Sequence, residues 1–264
     1  MRGSGGRASA DAVRQRRRRL AELVSQRGTL SVDEIVAETG VSAMTAYRDI
    51  DALEEAGLLT RPQRGVVAAS ASRLSEVSAA LRLEQHGTEK QQIAAAAAAV
   101  VRPGSSVLVD DSTSALWTLR ALAGVPLTVV TNSLLVAREL ARTPTVRLLV
   151  TGGEYQPWAE SLLGRTTLDM IAGVRADYCL LSASGISDDQ CFHPYEDVAQ
   201  VKRAMIASAE QPILLLDHTK FARRALHRFA ALADFAHVVV DSRAPAPELA
   251  HLRERGVGVV VAPG

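Results

Sequence analysis

Arg48 is the side chain best suited to reading a base pair, because a guanidinium donates two hydrogen bonds to a guanine edge in the major groove. It stands in Ser42-Ala43-Met44-Thr45-Ala46-Tyr47-Arg48-Asp49-Ile50, a stretch with helical periodicity. At about 100° per residue, Ala46, Ile50, Leu53 and Gly57 share one side and form the expected buried stripe. Met44 and Arg48 then face outward, flanked by Thr45 and Tyr47, with Thr45 and Ser42 placed to serve phosphate. Asp49 lies beside the stripe and is read as structural, paired with an arginine or capping a neighbour, since an anion aimed at phosphate weakens binding. A second chemistry recurs farther along, in Asp110-Asp111-Ser112-Thr113-Ser114, Thr131-Asn132-Ser133, Thr151-Gly152-Gly153-Glu154 and Ser182-Ala183-Ser184-Gly185. Hydroxyls, amides and glycines at helix starts offer a phosphate exposed donors, a favourable dipole and room for close approach. One such cluster is an ordinary helix cap; four at corresponding places predict a pocket for a phosphorylated polyol.

The elements that must hold Arg48 are legible around it. Ser31-Val32-Asp33-Glu34 is a capping box, with Leu30 and Ile35 as its hydrophobic staple. The short helix it opens ends at Gly40, where a left-handed residue is wanted, and Ser42 caps the next helix. Two short helices joined by a glycine-containing turn predict a helix-turn-helix. An earlier helix carries Leu20, Leu23 and Val24 after the run Arg16 to Arg19, and the first 30 residues hold eight arginines against Asp11 and Glu22. That excess suits a polyanion, although a basic run at a helix start is equally a solvated face. Leu58 to Thr60 and Val66 to Ala68 read as the strands of a wing with Arg61 and Arg64 at its tip. The expected DNA contacts are Arg16, Ser31, Ser42, Met44, Thr45, Tyr47, Arg48, Arg61 and Arg64.

With 264 residues, 47% of them hydrophobic, the chain is long enough for a small domain and a large one. Residues 1 to 65 hold 11 arginines and 9 acidic residues, and the remainder 19 basic and 20 acidic, so the positive balance lies at the front. Cys179 and Cys191 are too few for a disulfide framework and lack zinc spacing; a reduced, cytoplasmic setting is expected, with no metal and no cofactor. No apolar run approaches a membrane span, and the arginine-rich start is no signal peptide. The six histidines are scattered without triad or metal partners, and Trp117 and Trp158 read as packing residues.

After a hinge at Ala69 to Ser72, Leu74, Val77 and Leu81 suggest a helix, and Thr88-Glu89-Lys90-Gln91 reads as a second capping box before the run Ala94 to Ala99. Seven aliphatic runs then alternate with helical segments: 106–110, 127–131, 146–150, 176–182, 213–217, 237–241 and 257–261. Continuous runs of this kind predict strands buried on both faces, hence an α/β fold of doubly wound, mainly parallel type behind a small winged helix-turn-helix domain. Such sheets bind ligands at the carboxyl ends of their strands. The expected divisions are a disordered tail over 1–12, the DNA-binding domain over 13–69, a linker helix over 70–86 and the α/β domain over 87–264.

These spacings resemble the DeoR family of bacterial transcriptional regulators. Arg16, Leu20, Val24, Ser42, Thr45, Ala46, Arg48, Asp49 and Ile50 fit the family's motif. Tyr47 departs, standing where the family usually carries Arg or His, and Gln63 to Val66 replace a His-Gly-Gly-Ala stretch. In the second half Glu89-Lys90, Thr131-Asn132, Gly152-Gly153, Ser184-Gly185, Val201-Lys202 and Asp217-His218-Thr219-Lys220-Phe221 match, while Asp111 and Ser112 replace Ser and Gly in the phosphate loop. An added carboxylate there repels phosphate unless it points away.

The resemblance implies a sugar-phosphate sensor similar in fold to ribose-5-phosphate isomerase. Its expected effector contacts are Asp110, Ser112, Thr113, Ser114, Thr131, Asn132, Gly152, Gly153, Ser184 and Gly185, with Lys202 and Lys220 neutralising phosphate. It further implies a homo-oligomer, dimer or tetramer, that represses a sugar-catabolic operon on a double-stranded operator and is released by the phosphorylated sugar. The alternative is an active isomerase, in which Asp110, Asp111 and Lys202 move a proton and stabilise an enediolate. The attached winged helix favours regulation over turnover.

Overall fold

The computed structural model describes residues 12–13, 16–17, 19–21, 23–24, 27, 29–55, 59–63, 65–69, 76 and 78–264. The expectations placed on residues 1–11, on Arg18, Gly57, Leu58, Arg64, Leu74 and Val77, and on the hinge residues 70–72 lie outside these. The chain divides into two compact units, Met1–Val77 and Ser78–Gly264.

In the first unit the described positions between 12 and 27 are helical (α1), with Leu20 and Val24 buried one turn apart. There follow β1 (Thr29–Ser31), α2 (Val32–Thr39), α3 (Ala43–Glu55), β2 (Leu59–Gln63) and β3 (Val66–Ala69). The capping box forms: the Glu34 amide donates to Ser31 Oγ over 3.2 Å, and the Ser31 amide donates to Glu34 Oε2 over 2.7 Å. Gly40 closes α2 at φ 68°, where a side chain would cost roughly 1–2 kcal/mol. β1 was not expected; it makes an antiparallel sheet of order β1-β3-β2. The wing is longer than its apolar residues suggest, because β2 runs on to Gln63 and resumes pairing opposite Val66 after a register shift that accommodates Pro62. Arg61 therefore belongs to a strand and not to the wing tip. Ile35, Ala46, Ile50, Leu53, Leu59 and Val67 close the core over α1.

The second unit runs α4 (Ala79–Glu84), α5 (Gly87–Ala98), β4 (Ser106–Val109), α6 (Thr113–Ala121), β5 (Leu127–Thr131), α7 (Leu134–Leu140), β6 (Val146–Val150), β7 (Glu154–Gln156), β8 (Ser161–Leu163) and α8 (Arg165–Ala172). It continues through β9 (Ala176–Leu181), β10 (Gly185–Ser187), β11 (Gln190–His193), α9 (Glu196–Ala207), β12 (Ala209–Leu216), β13 (His227–Ala231), β14 (His237–Val240), α10 (Ala246–Glu254) and β15 (Val259–Val261). All seven expected strands join one parallel sheet, ordered β15-β14-β12-β9-β4-β5-β6. Alternate residues serve opposite cores. Val107, Val109, Leu180, Ile213 and Leu215 pack with Ile93, Ala97, Leu116 and Val136 on one face. Leu108, Cys179, Leu181, Leu214 and Leu216 pack with Ile171, Val201, Met205 and Leu252 on the other. This two-sided burial is why the central strands read as mostly aliphatic runs, while the edge strand β6 is only partly buried and carries Arg147.

The chain builds outward from β4 through β5 to β6, then returns to β9 and builds the other way through β12, β14 and β15. The crevice beyond the ends of β4 and β9 is therefore the topological switch point. The capping box expected at Thr88 is not formed: α5 begins at Gly87, after His86 at φ 54° and with no side-chain cap. Lys90 turns inward instead, donating to the carbonyls of Arg82 and, over 2.8 Å, Gln85. With α5 already begun at Gly87, Thr88 lies inside the helix and is not its N-cap.

Candidate functional site

Ala46, Ile50 and Leu53 are buried, which turns the other side of α3 outward. Met44 is 65% exposed and Tyr47 46%; Arg48 is exposed and Thr45 half-buried. The Thr45 amide donates to Ser42 Oγ over 3.3 Å, so Ser42 caps the helix. Arg48 Nη2 lies 3.8 Å from Met44 Sδ, one turn away on the same outward face. Asp49 is buried and clamped by α1: Arg16 Nε and Nη2 donate to it over 2.5 and 3.1 Å, and Arg17 Nε over 2.9 Å. Burial alone would raise the Asp49 carboxyl, but the two guanidiniums outweigh it and hold it below its usual range. Part of the basic run thus orients the recognition helix. Arg61 turns back to Asp51 and, over 3.5 Å, to Glu54. The Ser31 hydroxyl is engaged by Glu34.

At the switch point Asp110 follows β4 with its carboxylate 1% exposed. Its Oδ1 accepts from the Ser112 amide over 2.9 Å, and its Oδ2 accepts from Lys202 Nζ. Lys202 comes from α9 and also donates to the Ser182 carbonyl over 2.9 Å, tying the ends of β4 and β9 together. Burial would discharge Lys202, but Asp110 and Asp111 hold its ammonium above its usual range. Asp111 accepts from Arg82 Nη2 over 3.1 Å. Burial would raise Asp111, and Arg82, Lys202 and His193 together hold it lowered.

Ser112 caps α6, accepting from the Ala115 amide over 3.2 Å, and the Thr113 hydroxyl lies 3.4 Å from the Arg82 carbonyl. Ser114 offers its carbonyl to the Thr118 hydroxyl over 3.1 Å. Thr131 Oγ1 accepts from the Ser133 amide over 3.0 Å and donates to the Val109 carbonyl over 2.7 Å. Asn132 Nδ2 donates to the Leu162 carbonyl over 3.0 Å, while Asn132 Oδ1, Thr151 Oγ1 and Ser161 Oγ are buried without a protein partner.

Other expected contacts fall elsewhere. Gly152 and Gly153 follow the edge strand β6, separated from β4 by β5, and are exposed. A Cβ on Gly153 would overlap Thr167 Oγ1 and lie 2.5 Å from the Leu163 carbonyl, so packing on β8 and α8 accounts for this glycine. A Cβ on Gly185, next to buried Ser184, would overlap the Arg223 carbonyl. Gly185→Ala is therefore expected to cost roughly 1–3 kcal/mol in urea denaturation, as overpacking against backbone does. Lys220 lies 3.8 Å from Asp217 Oδ2, at the end of β12 on the far side of β9.

Four residues that bear on the site, Arg82, Trp158, Tyr195 and His193, carried no local signal for it. Arg82 comes from α4, with its guanidinium 6.0 Å from the centre of the Trp158 ring. Trp158 stands 4.7 Å from Tyr195 and 6.4 Å from His193, ring to ring, and the latter is buried. His218, adjoining Asp217, donates its amide to Asp241 over 2.5 Å. Among the described residues no group of three or more His, Cys, Asp or Glu is placed to hold a metal, and no helix is long and apolar enough to cross a membrane. Both cysteines are buried, and burial pushes their thiols up.

Residues 16–72 match the DeoR-like helix-turn-helix domain and residues 85–242 the DeoR C terminal sensor domain. The chain is 31% identical over 251 residues to the glycerol-3-phosphate regulon repressor of Haemophilus influenzae, covering 94% of this chain and 97% of that one. It is 30% identical to the HTH-type transcriptional repressor CsqR of Escherichia coli, covering 92% and 93%. It is 28% identical to the HTH-type transcriptional repressor GlcR of Bacillus subtilis, again covering 92% and 93%. Among solved structures, ribose 5-phosphate isomerase A of Methanocaldococcus jannaschii aligns with a TM-score of 0.37 at 13% identity, covering 50% and 53% of the two chains. A likeness at that level carries no argument about activity. With both of its domains matched in order along nearly the whole sequence, the chain belongs to the DeoR family of DNA-binding, helix-turn-helix transcriptional regulators.

Proposed function

We propose that this regulator represses a sugar-catabolic operon in the cytoplasm, as a dimer or tetramer on a double-stranded operator, and that a phosphorylated sugar releases it. The observation that carries the effector is the switch point, where Asp110, Lys202 and the hydroxyl-bearing start of α6 meet. Asp110 and Ser184 suit sugar hydroxyls; Ser112, Thr113 and Ser114 suit a phosphate at a helix start. Thr131 and Asn132, beside the buried unpartnered oxygens of Thr151 and Ser161, extend hydrogen-bonding capacity along the strand ends. Relatives are named repressors of the glycerol-3-phosphate regulon and of the aga operon, which agrees with a phosphorylated carbohydrate effector.

On the DNA side Arg48 reads a base, Met44 and Tyr47 line the groove, and Thr45 and Ser42 serve phosphate, while Ser31 and Arg16 reach it only by exchanging Glu34 and Asp49 for it. Arg64 serves the backbone from the wing, and Arg61 joins it on release from Asp51 and Glu54. Regulation is a better reading than isomerisation because the cation an enediolate would need, Lys202, is already engaged by Asp110 and the Ser182 carbonyl, while Asp110 keeps lone pairs that can accept from sugar hydroxyls.

A thermal-shift screen tests this. Glycerol 3-phosphate, glucose 6-phosphate and ribose 5-phosphate are compared with their unphosphorylated parents. A probe at a hundredfold its dissociation constant stabilises by about 2.7 kcal/mol. One phosphorylated compound is expected to raise the melting temperature and weaken binding to DNA selected from random sequence; linkage requires the second effect if it prefers the DNA-incompetent arrangement. No shift with any of them would remove the sensor reading, and isomer interconversion during incubation would restore the enzyme.

A further inference from the structure

We infer that Arg82 is the side chain that receives the effector's phosphate, and that Asp111 holds its place until the effector arrives. This rests on the sugar-phosphate reading above. Arg82 is on α4, and its backbone is fixed from two sides: Lys90 Nζ donates to its carbonyl, and the Thr113 hydroxyl lies 3.4 Å from the same oxygen. The first amide of α4, Ala79, donates to the Trp158 carbonyl over 2.8 Å, and the Trp158 ring lies beneath the guanidinium. So placed, Arg82 Nη2 meets Asp111 at 3.1 Å.

Asp111 sits between β4 and the cap of α6, at the switch point, where parallel sheets offer an anion the helix start. Its carboxylate is the anion that holds Arg82 beside that helix start. Two ion pairs meet here, Asp110 with Lys202 and Asp111 with Arg82. A phosphate held by either cation takes it from its carboxylate. Lys202 is the costlier to take: its side chain is 3% exposed, and its ammonium holds both Asp110 and the Ser182 carbonyl. Withdrawing it leaves Asp110 only the Ser112 amide, whereas Asp111, when Arg82 leaves, still has Lys202 and His193 close by. The Arg82 side chain is 13% exposed and offers a planar fork of donors that matches phosphate two oxygens at a time. Phosphate displaces the Asp111 carboxylate from Arg82. Because α4 is the first element after Val77, the exchange occurs where the chain enters the sensor unit. The effector thereby has a contact that differs between two states, as any shift of equilibrium requires.

The sign of two substitutions separates this from a structural ion pair. The phosphorylated probe that most stabilises the wild-type protein, chosen from glycerol 3-phosphate, glucose 6-phosphate and inorganic phosphate, is titrated calorimetrically into Arg82→Gln and Asp111→Asn. Arg82→Gln is expected to weaken it by about tenfold or more, as loss of a hydrogen bond to a charged group does. Asp111→Asn, which removes the competing carboxylate, is expected to tighten it. Arg82→Lys keeps the charge without the fork and is expected to fall between wild type and Gln. Undiminished binding in Arg82→Gln overturns the assignment, as does weakening in Asp111→Asn. If Arg82→Gln does not fold, the Asp111→Asn and Arg82→Lys titrations decide alone. A wild-type protein that binds none of the probes overturns the sugar-phosphate reading itself and this assignment with it.

Discussion

Lys202→Met lowers the midpoint of thermal unfolding by about 6–20 °C, the largest stability change expected of any single substitution at the site. The figure follows from burial. Methionine keeps most of the aliphatic stem but removes the charge from a pair whose side chains are 3% and 1% exposed. Taking one partner from a buried pair costs roughly 3–5 kcal/mol, and each kcal/mol moves the midpoint by roughly 2–4 °C in a domain of this size. Asp110 would retain only the Ser112 amide, and the Ser182 carbonyl would lose its ammonium. The double variant Lys202→Met, Asp110→Asn removes both charges while keeping an acceptor for Ser112, and is expected to recover more than half of the loss. Additive losses in calorimetry would mean the two side chains are not coupled. The sign with pH is fixed as well. Lys202 has a folded pKa above its unfolded value of about 10.4, so its contribution is complete at neutral pH and is lost only in more alkaline solution. Asp111, held lowered, contributes above the unfolded carboxylate value of about 3.9 and loses it on acidification through its folded pKa.

How much of this was legible varies with the range of the forces. The seven strands of the main sheet could be read from the sequence because burial keeps most of each run aliphatic, with Thr128, Arg147 and Asp177 the polar exceptions inside a run, at less buried positions. The antiparallel ladder β10-β11-β13 could not. Its strands are three to five residues long, and its first turn places Asp188 and Asp189 at φ 49° and 59° without the glycine that normally announces such a turn. The second capping box does not form for a related reason: Thr88 to Gln91 satisfy a local pattern, but the helix starts before Thr88, at Gly87 after His86 in the left-handed region. Asp49 was placed correctly because its neighbours on the helix surface follow from a single angle per residue. Arg82 and His193 escaped notice because nothing within a few residues of either announces Asp111. Only the folded sheet brings them to it.

Arg48→Ala is expected to weaken specific DNA binding by roughly 5- to 150-fold, the equivalent of about 1–3 kcal/mol, and to relax preference at one base pair. Nothing in the fold depends on Arg48: its side chain is exposed, one turn from exposed Met44 on the outward face, and the stripe that packs α3 contains none of it. Stability should therefore be unchanged and binding to random-sequence DNA nearly so. Its neighbour predicts the opposite pattern. Asp49 is buried and holds Arg16 and Arg17 of α1, so Asp49→Ala should lower the melting temperature and weaken all sequences alike by misplacing the helix. Tyr47→Arg is the third arm, since it puts a cation at a 46% exposed position beside Arg48 on α3; it should steepen the salt dependence by about one counterion for all DNA. Gel-shift titrations over several salt concentrations, on a selected site and on random DNA, separate the three. Equal losses on both DNAs for Arg48→Ala would assign that side chain to the phosphate backbone and leave base reading to Tyr47 and Met44.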